Sequence, residues 1–162
     1  MLSIIRQLHS FLDRILVALV VILMLITLSA MFMQVIDRYL IHSTIIAYDQ
    51  IAKVSMIWLC SLGLPVVFIR NMNVTADLIE DLLPAKILHF RSIFFDLIIT
   101  GMATTLLVFG LPVMEVGGFQ DIIGVPLTYW SIYLAVNISM ALLAIICSTR
   151  IITTLLERKE TK

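Results

Sequence analysis

Charged residues are scarce in this sequence of 162 residues. They make up 14% of the chain, against about 25% in soluble domains, whereas 61% of the residues are hydrophobic. This balance excludes an ordinary soluble domain. It indicates an integral membrane protein, whose function must be inferred from its topology and from the charges near the bilayer.

The sequence also lacks the groups that several kinds of membrane enzyme and carrier require. Cys60 and Cys147 lie in separate apolar runs, so there is no C-x-x-C pair for thiol oxidation. His9, His42 and His89 lie outside the apolar runs, where they could not be axial ligands of a haem inside a helical bundle. No phosphate-binding G-x-x-x-x-G-K-[ST] motif occurs. We therefore predict no enzyme activity, no catalytic, substrate or metal site, no cofactor and no nucleic-acid partner.

Charge is absent from four long stretches, which are Ile15–Ile36, Val54–Ile69, Leu97–Met114 and Ile122–Thr149. A transmembrane helix needs about 20 apolar residues, within a range of about 17–25. The second stretch reaches this length if its helix starts near Ile45 and carries Asp49 and Lys53 as an i,i+4 pair. The sequence predicts an all-α integral membrane protein, a single domain over residues 1–162 with four transmembrane helices at approximately 15–37, 45–69, 93–115 and 126–150. No stretch has a carboxylate near its middle, which argues against a proton-coupled exporter.

Basic residues are distributed unevenly between the two sides of these predicted spans. Two of the eleven, Arg38 and Lys53, belong to the first connection, and the third connection has none. The other nine fall on the opposite side, and they are Arg6, Arg14, Arg70, Lys86, Arg91, Arg150, Arg158, Lys159 and Lys162. Because positive charge is retained in the cytoplasm, we expect both termini to be cytoplasmic.

Two segments outside the spans have amphipathic patterns and are predicted as short interfacial helices. Residues 2–13 place apolar side chains at helical spacing between polar ones, which suits either a helix at the interface or a simple extension of the first span. Residues 74–83 have an acidic polar face that includes Asp77. Anionic lipid would repel this face, so a partner protein, or Lys86 and Arg91 of the same chain, would be better counter-charges. A solvated acidic loop remains the alternative.

Polar residues inside the last two spans are few. Asp96 lies about one turn inside the third span, where we favour a structural ion pair with Arg70 or Arg91 over a proton or cation site. Gly101 and Gly110 in the same span permit close approach of a neighbouring helix.

The fourth span begins with Tyr129, Trp130 and Tyr133, whose rings suit the headgroup level. Deeper in the span, Asn137 and Ser139 are expected to hydrogen-bond across helices. A substrate-binding role for Asn137 is the alternative to this structural one.

A series of short motifs, in order along the chain, resembles the small Q-type membrane subunit of tripartite ATP-independent periplasmic (TRAP) transporters. They are Gln34-Val35-Ile36-Asp37-Arg38-Tyr39, Tyr48-Asp49-Gln50 with Lys53 and Trp58, Gly63, Arg70-Asn71-Met72-Asn73-Val74 with Asp77-Leu78, and Gly124-Val125-Pro126 with Tyr133. The family usually has Trp-x-Glu-Glu where Tyr48-Asp49-Gln50 stands, His at the position of Asn73 and Pro at that of Asn137.

The resemblance implies a subunit of the bacterial inner membrane that works through its partners. These are a large multi-span subunit, which would move a small organic anion with a sodium gradient, and a periplasmic solute-binding protein. The small subunit would brace the large one. Its candidate contacts with partner or lipid are Gln34, Arg38, Tyr39, Asp49, Lys53, Trp58, Arg70, Asp77, Arg91 and Asp96.

Two other classes of function remain open at this point. A self-assembling carrier or channel would need a polar stripe along its spans, and the span residues Thr27, Ser55, Ser61 and Asn137, among others, are too scattered to form one convincingly. A membrane enzyme would need clustered titratable groups at one interface. The only candidates for such a cluster are Arg70, Asp77, His89, Arg91 and Asp96.

Overall fold

Four long helices dominate the structure, a computed structural model that describes residues 2–41, 45–70 and 85–160, with side chains for residues 10–41, 45–70 and 93–153. They are α1 (Leu2–Ile36), α2 (Ile46–Ile69), α3 (Ala85–Gly117) and α4 (Trp130–Glu160), and a π-helical turn, Asp37–Ile41, follows α1. Each helix has a segment long and apolar enough to cross a bilayer. The predicted all-α membrane fold with four transmembrane helices is confirmed.

The first helix joins the two segments that the sequence separates. A single helix from Leu2 to Ile36 covers both residues 2–13 and the first span, and no glycine or proline interrupts it. Of the two alternatives for residues 2–13, a continuous helix agrees with a simple extension of the first span. The second predicted interfacial segment, residues 74–83, lies outside the described residues.

The helices pack side by side in the order α1, α2, α4, α3. Extended contacts join α1 to α2, α2 to α4 and α4 to α3 among the described residues. Burial follows this order, because a third of the most apolar stretch of α2 and of α4 is buried, against 17% in α1 and 6% in α3. The result is an open row with α1 and α3 as its two edges.

Neighbours in the chain run antiparallel, so the row has two distinct ends. Arg70, just after α2, contacts Asp13 of α1, whereas Gln34 near the end of α1 contacts Asp49 near the start of α2. Because the direction alternates, α2 and α4 are parallel. We call the end with Asp13 the terminal end and the end with Asp49 the loop end.

The contact between α2 and α4 depends on a proline. Pro65 lies fully buried inside α2, and having no N–H it leaves the carbonyl of Ser61 without its donor four residues on. The hydroxyl of Ser139 in α4 donates to this carbonyl, and both serines are buried. A serine on a neighbouring helix is one of the ways in which membrane proteins satisfy a carbonyl freed by proline. The expected interhelical hydrogen bond of Ser139 is therefore confirmed.

The other two interfaces of the row also contain a buried polar contact each. Between α1 and α2, Thr27 Oγ1 donates to Ser55 Oγ at 2.9 Å. Between α3 and α4, Asn137 Nδ2 of α4 lies 3.7 Å from Met114 Sδ of α3, and it also donates to the carbonyl of Tyr133 in its own helix at 3.0 Å. A Cβ atom on Gly110 would lie 2.5 Å from Asn137 Oδ1, so this glycine permits the predicted close approach.

The connection between α3 and α4 is a small hairpin, which delays the start of the fourth helix. Ile122 and Leu127 share a backbone hydrogen bond of 2.8 Å, and Gly124 turns the chain with φ of 90°. A Cβ on Gly124 would lie 3.3 Å from the backbone nitrogen of Ala47, so the hairpin rests on the start of α2. For this reason α4 begins at Trp130 rather than near residue 126 as predicted.

We predict that Ser139→Ala lowers the free energy of unfolding by about 1–2 kcal/mol, because it leaves the buried Ser61 carbonyl unsatisfied. The control is the same change in a Pro65→Ala background, where residue 65 regains an N–H and supplies the missing donor within α2. Chemical unfolding in detergent of the four proteins measures the coupling. Equal losses in the two backgrounds would contradict the role of Pro65.

Candidate functional site

Acidic and basic side chains gather at the two ends of the row. At the loop end, Asp49 of α2 accepts a hydrogen bond from Lys53 Nζ at 2.5 Å and one from Gln34 Nε2 at 3.3 Å. The first confirms the predicted i,i+4 pair, and the second joins α1 to α2. Because Lys53 is 60% exposed, this is a surface contact that orients the start of α2.

A second carboxylate of the loop end was missed as a site residue. Asp37 is buried, with 3% exposure, and its Oδ2 accepts the backbone N–H of Ile45 at 2.8 Å. Ile45 directly precedes α2, so the π-helical turn uses Asp37 to fix where the second helix begins. The sequence signal for this role was the position of Asp37, eight residues before Ile45, near which the second helix is expected to start.

The neighbours of Asp37 point away from the row. Arg38 is exposed, and Tyr39 has 69% exposure. Both lie where α1 passes out of its apolar run, at the level expected for lipid headgroups. Trp58, in α2, is half-buried. Asp77 and the side chain of Arg91 lie outside the described residues.

At the terminal end, Arg70 and Asp13 form a two-pronged ion pair between the end of α2 and the start of the first span. Nε donates to Oδ1 at 2.8 Å and Nη2 to Oδ2 at 3.0 Å. The hydrogen bond to Asp13 raises the pKa of the Arg70 guanidinium, so this group remains charged. The pair is partly exposed, with 41% of the arginine side chain accessible.

Asp96 has a structural ion pair, as favoured from the sequence, but its partner is Arg150. Arg150 Nε lies 3.6 Å from Asp96 Oδ2, and Arg150 Nη1 donates to the carbonyl of Phe68 at 3.5 Å. The prediction that Arg70 would stand beside Asp96 is wrong, because Arg70 faces Asp13 across the α1–α2 interface. The order of the helices explains the error, since α3 packs on α4 and makes no extended contact with α2.

These ion pairs and hydrogen bonds hold the helices together. No group of three or more His, Cys, Asp or Glu side chains in the described residues could hold an ion. Arg150 joins three helices, since it contacts Asp96 of α3 and the carbonyl of Phe68 of α2 from its place in α4. The site is therefore a set of interhelical contacts at two membrane levels.

Comparison with known protein families agrees with the resemblance. The family described as "Tripartite ATP-independent periplasmic transporters, DctQ component" matches residues 27–157, which is most of the chain. The matched region begins at Thr27 and includes α2, α3 and nearly all of α4. No curated protein matches the chain.

We predict unequal effects from breaking the two ion pairs of the terminal end. Arg150→Ala leaves the 7% exposed Asp96 side chain without its cation, which we expect to cost near the lower limit of about 3–5 kcal/mol. Arg70→Ala breaks a more exposed pair and should cost much less. The loss of stability in each variant is measured by thermal unfolding in detergent.

Asp96→Asn in the Arg150→Ala background is the matched control, because it removes the unpaired charge, and it should recover part of the lost stability. If Arg150→Ala and Arg70→Ala were equally stable, the assignment of Asp96–Arg150 as the stronger contact would be contradicted.

Proposed function

Because the chain belongs to the DctQ component family of tripartite ATP-independent periplasmic transporters, and so is the small membrane subunit of such a transporter, we propose that it braces the large transport subunit. In this proposal the large subunit moves a small organic anion, delivered by a periplasmic solute-binding protein, and is driven by a sodium gradient. The small subunit contributes a fixed wall of four helices. It binds neither the anion nor sodium.

The observation that carries the proposal is how the polar side chains within the spans are used. Thr27 and Ser139 donate hydrogen bonds across one helix interface each. Asn137 Nδ2 donates to the carbonyl of Tyr133 in its own helix, and its buried Oδ1 has no partner among the described residues. Further hydroxyls, such as that of Thr104, bond to carbonyls of their own helix. Polar groups committed in this way stiffen the row and do not line a shared path for an anion across the bilayer.

The shape of the row also suits a brace. A row of helices with two edges is wider than a closed bundle of the same helices and exposes more surface to its surroundings in the bilayer. Neighbouring helices of the row are held together by the ion pairs Asp13–Arg70 and Asp96–Arg150 and by the hydrogen bond from Ser139 to Ser61. A subunit that moves substrate by shifting one part against another needs a stationary counterpart of this kind.

We propose that the terminal end is cytoplasmic and that the protein lies in the bacterial inner membrane. The support is the positive-inside distribution, with nine of the eleven basic residues on the side of the terminal end. In this orientation the hairpin between α3 and α4 is periplasmic. Arg38 and Tyr39 then lie at the outer headgroup level.

We predict that the purified chain alone takes up no organic anion. Reconstituted in liposomes with a sodium gradient, it should give the same uptake as empty liposomes. Liposomes with the large subunit and the binding protein should transport only when this chain is added. The measurement is uptake of radiolabelled anion with and without the sodium gradient.

Sodium-driven uptake by the chain alone would contradict the proposal and favour the self-assembling carrier or channel. Full uptake by the large subunit and the binding protein without this chain would contradict the bracing role.

A further inference from the structure

A second proline lies inside a membrane span, on the edge helix α3. Pro112 cannot donate to the carbonyl of Val108, just as Pro65 cannot donate to Ser61 in α2. The freed carbonyl lies about 13 Å from the end of α3 at Gly117, given a rise of 1.5 Å per residue. It is therefore deep in the hydrocarbon, away from bulk water.

The two prolines differ in what faces the freed carbonyl. Ser139 satisfies the one in α2, whereas no described side chain donates to the carbonyl of Val108. Val108 and Pro112 are exposed, and they lie on the opposite side of α3 from Gly110 and Met114, which face Asn137 of α4. A donor on a neighbouring protein would satisfy this carbonyl.

Lipid tails provide no hydrogen-bond donor, and a freed backbone group in hydrocarbon costs several kcal/mol. The surrounding surface of α3 suits a helix better than a lipid. A Cβ atom on Gly101 would meet no neighbouring element within 4 Å. The exposed Thr104 and Thr105 donate their hydroxyls to carbonyls one turn earlier in α3. Small residues of this kind let a second helix approach closely.

The two edges also differ in charge. The edge formed by α1 has exposed Arg14 and Arg38, about 36 Å apart along the helix, which matches the two headgroup levels of a bilayer. At the loop end, the α3 edge has the exposed carboxylate of Glu115, and the sequence has no Lys, Arg or His from residue 92 to residue 149. At the terminal end, α3 carries the basic residues Lys86, His89 and Arg91, as α1 carries Arg14. At the loop end, anionic headgroups therefore suit the α1 edge, and a protein suits the α3 edge.

We propose that the α3 edge, centred on Val108 to Pro112, is the surface on which the large transport subunit docks. A hydroxyl or amide side chain on a helix of that subunit donates to the carbonyl of Val108, as Ser139 does to Ser61 within this chain. The α1 edge faces lipid. The proposal rests on the proposed function, because that function supplies the partner.

Phe109 and Phe32 provide a matched pair for testing the two edges. Both are exposed phenylalanines of edge helices, with 71% and 66% exposure, on α3 and α1. Each is replaced by the photo-reactive analogue benzoyl-phenylalanine in the chain co-expressed with the large subunit and the binding protein. We expect irradiation to join the Phe109 variant to the large subunit and to leave the Phe32 variant without that product.

Cross-linking to the large subunit from position 32 and not from 109 would overturn the choice of edge. So would a product from position 109 that contains only lipid or has the mass of two copies of this chain. Affinity purification of the unsubstituted chain distinguishes a failure of the proposed function from a failure of the docking surface alone. If the large subunit does not stay bound to it, the proposed function fails as well, whereas retained binding with the wrong cross-links overturns the docking surface alone.

Pro112→Ala tests the hydrogen bond itself. Alanine restores an N–H that satisfies the Val108 carbonyl within α3, so a donor on the partner loses its acceptor. We expect binding of the large subunit to weaken about threefold to tenfold, while the thermal stability of the chain alone stays equal or rises. Unchanged binding, or a less stable isolated chain, would overturn the role of this carbonyl.

Discussion

The freed carbonyl of Ser61 is the constraint on which the order of the helices depends. In hydrocarbon each backbone polar group must find a partner, and Pro65 removes the usual one. A neighbouring helix with a small donor at the right level satisfies this part of α2 when it packs there. Ser139 provides that donor, which places α4 beside α2 in parallel. Because α1 packs against α2 and α3 against α4, these two helices take the edges of the row.

Charges then fix the ends of the row. Each of the two described ion pairs of the terminal end joins neighbours, Asp13–Arg70 across α1 and α2 and Asp96–Arg150 across α3 and α4. At the loop end, Asp37 sets the start of α2 through the N–H of Ile45. Polar contacts in the middle set which helices meet, and charged contacts at the ends set their register. Contacts of this kind suit the bracing role proposed above.

Much of the fold was predictable from the sequence, because the length of a transmembrane helix is set by the bilayer and the uncharged runs show it directly. The Asp49–Lys53 pair follows from helix spacing alone. The partner of Asp96 was not predictable in this way, because it depends on which helices are neighbours. Arg150 directly follows the fourth uncharged run, so the sequence indicated its membrane level but not its contact with Asp96. Pro65 offered a sharper signal, since the carbonyl that it leaves free at Ser61 requires a donor on another helix.

The central claim is that the four helices form an open row with α1 and α3 at opposite edges. Spin labels on cysteines at Ile22 of α1 and Thr105 of α3, both exposed positions, test it directly in a variant with Cys60→Ser and Cys147→Ala. The two positions lie at similar membrane levels, because each is nine residues from the ion-paired aspartate of its helix at the terminal end. With packed helices about 8–10 Å apart, a row places these labels more than about 20 Å from each other. A closed bundle places them about 10 Å apart as neighbours or about 14 Å apart across its diagonal. A pulsed electron paramagnetic resonance distance above about 20 Å supports the row, and a distance below about 15 Å would contradict it.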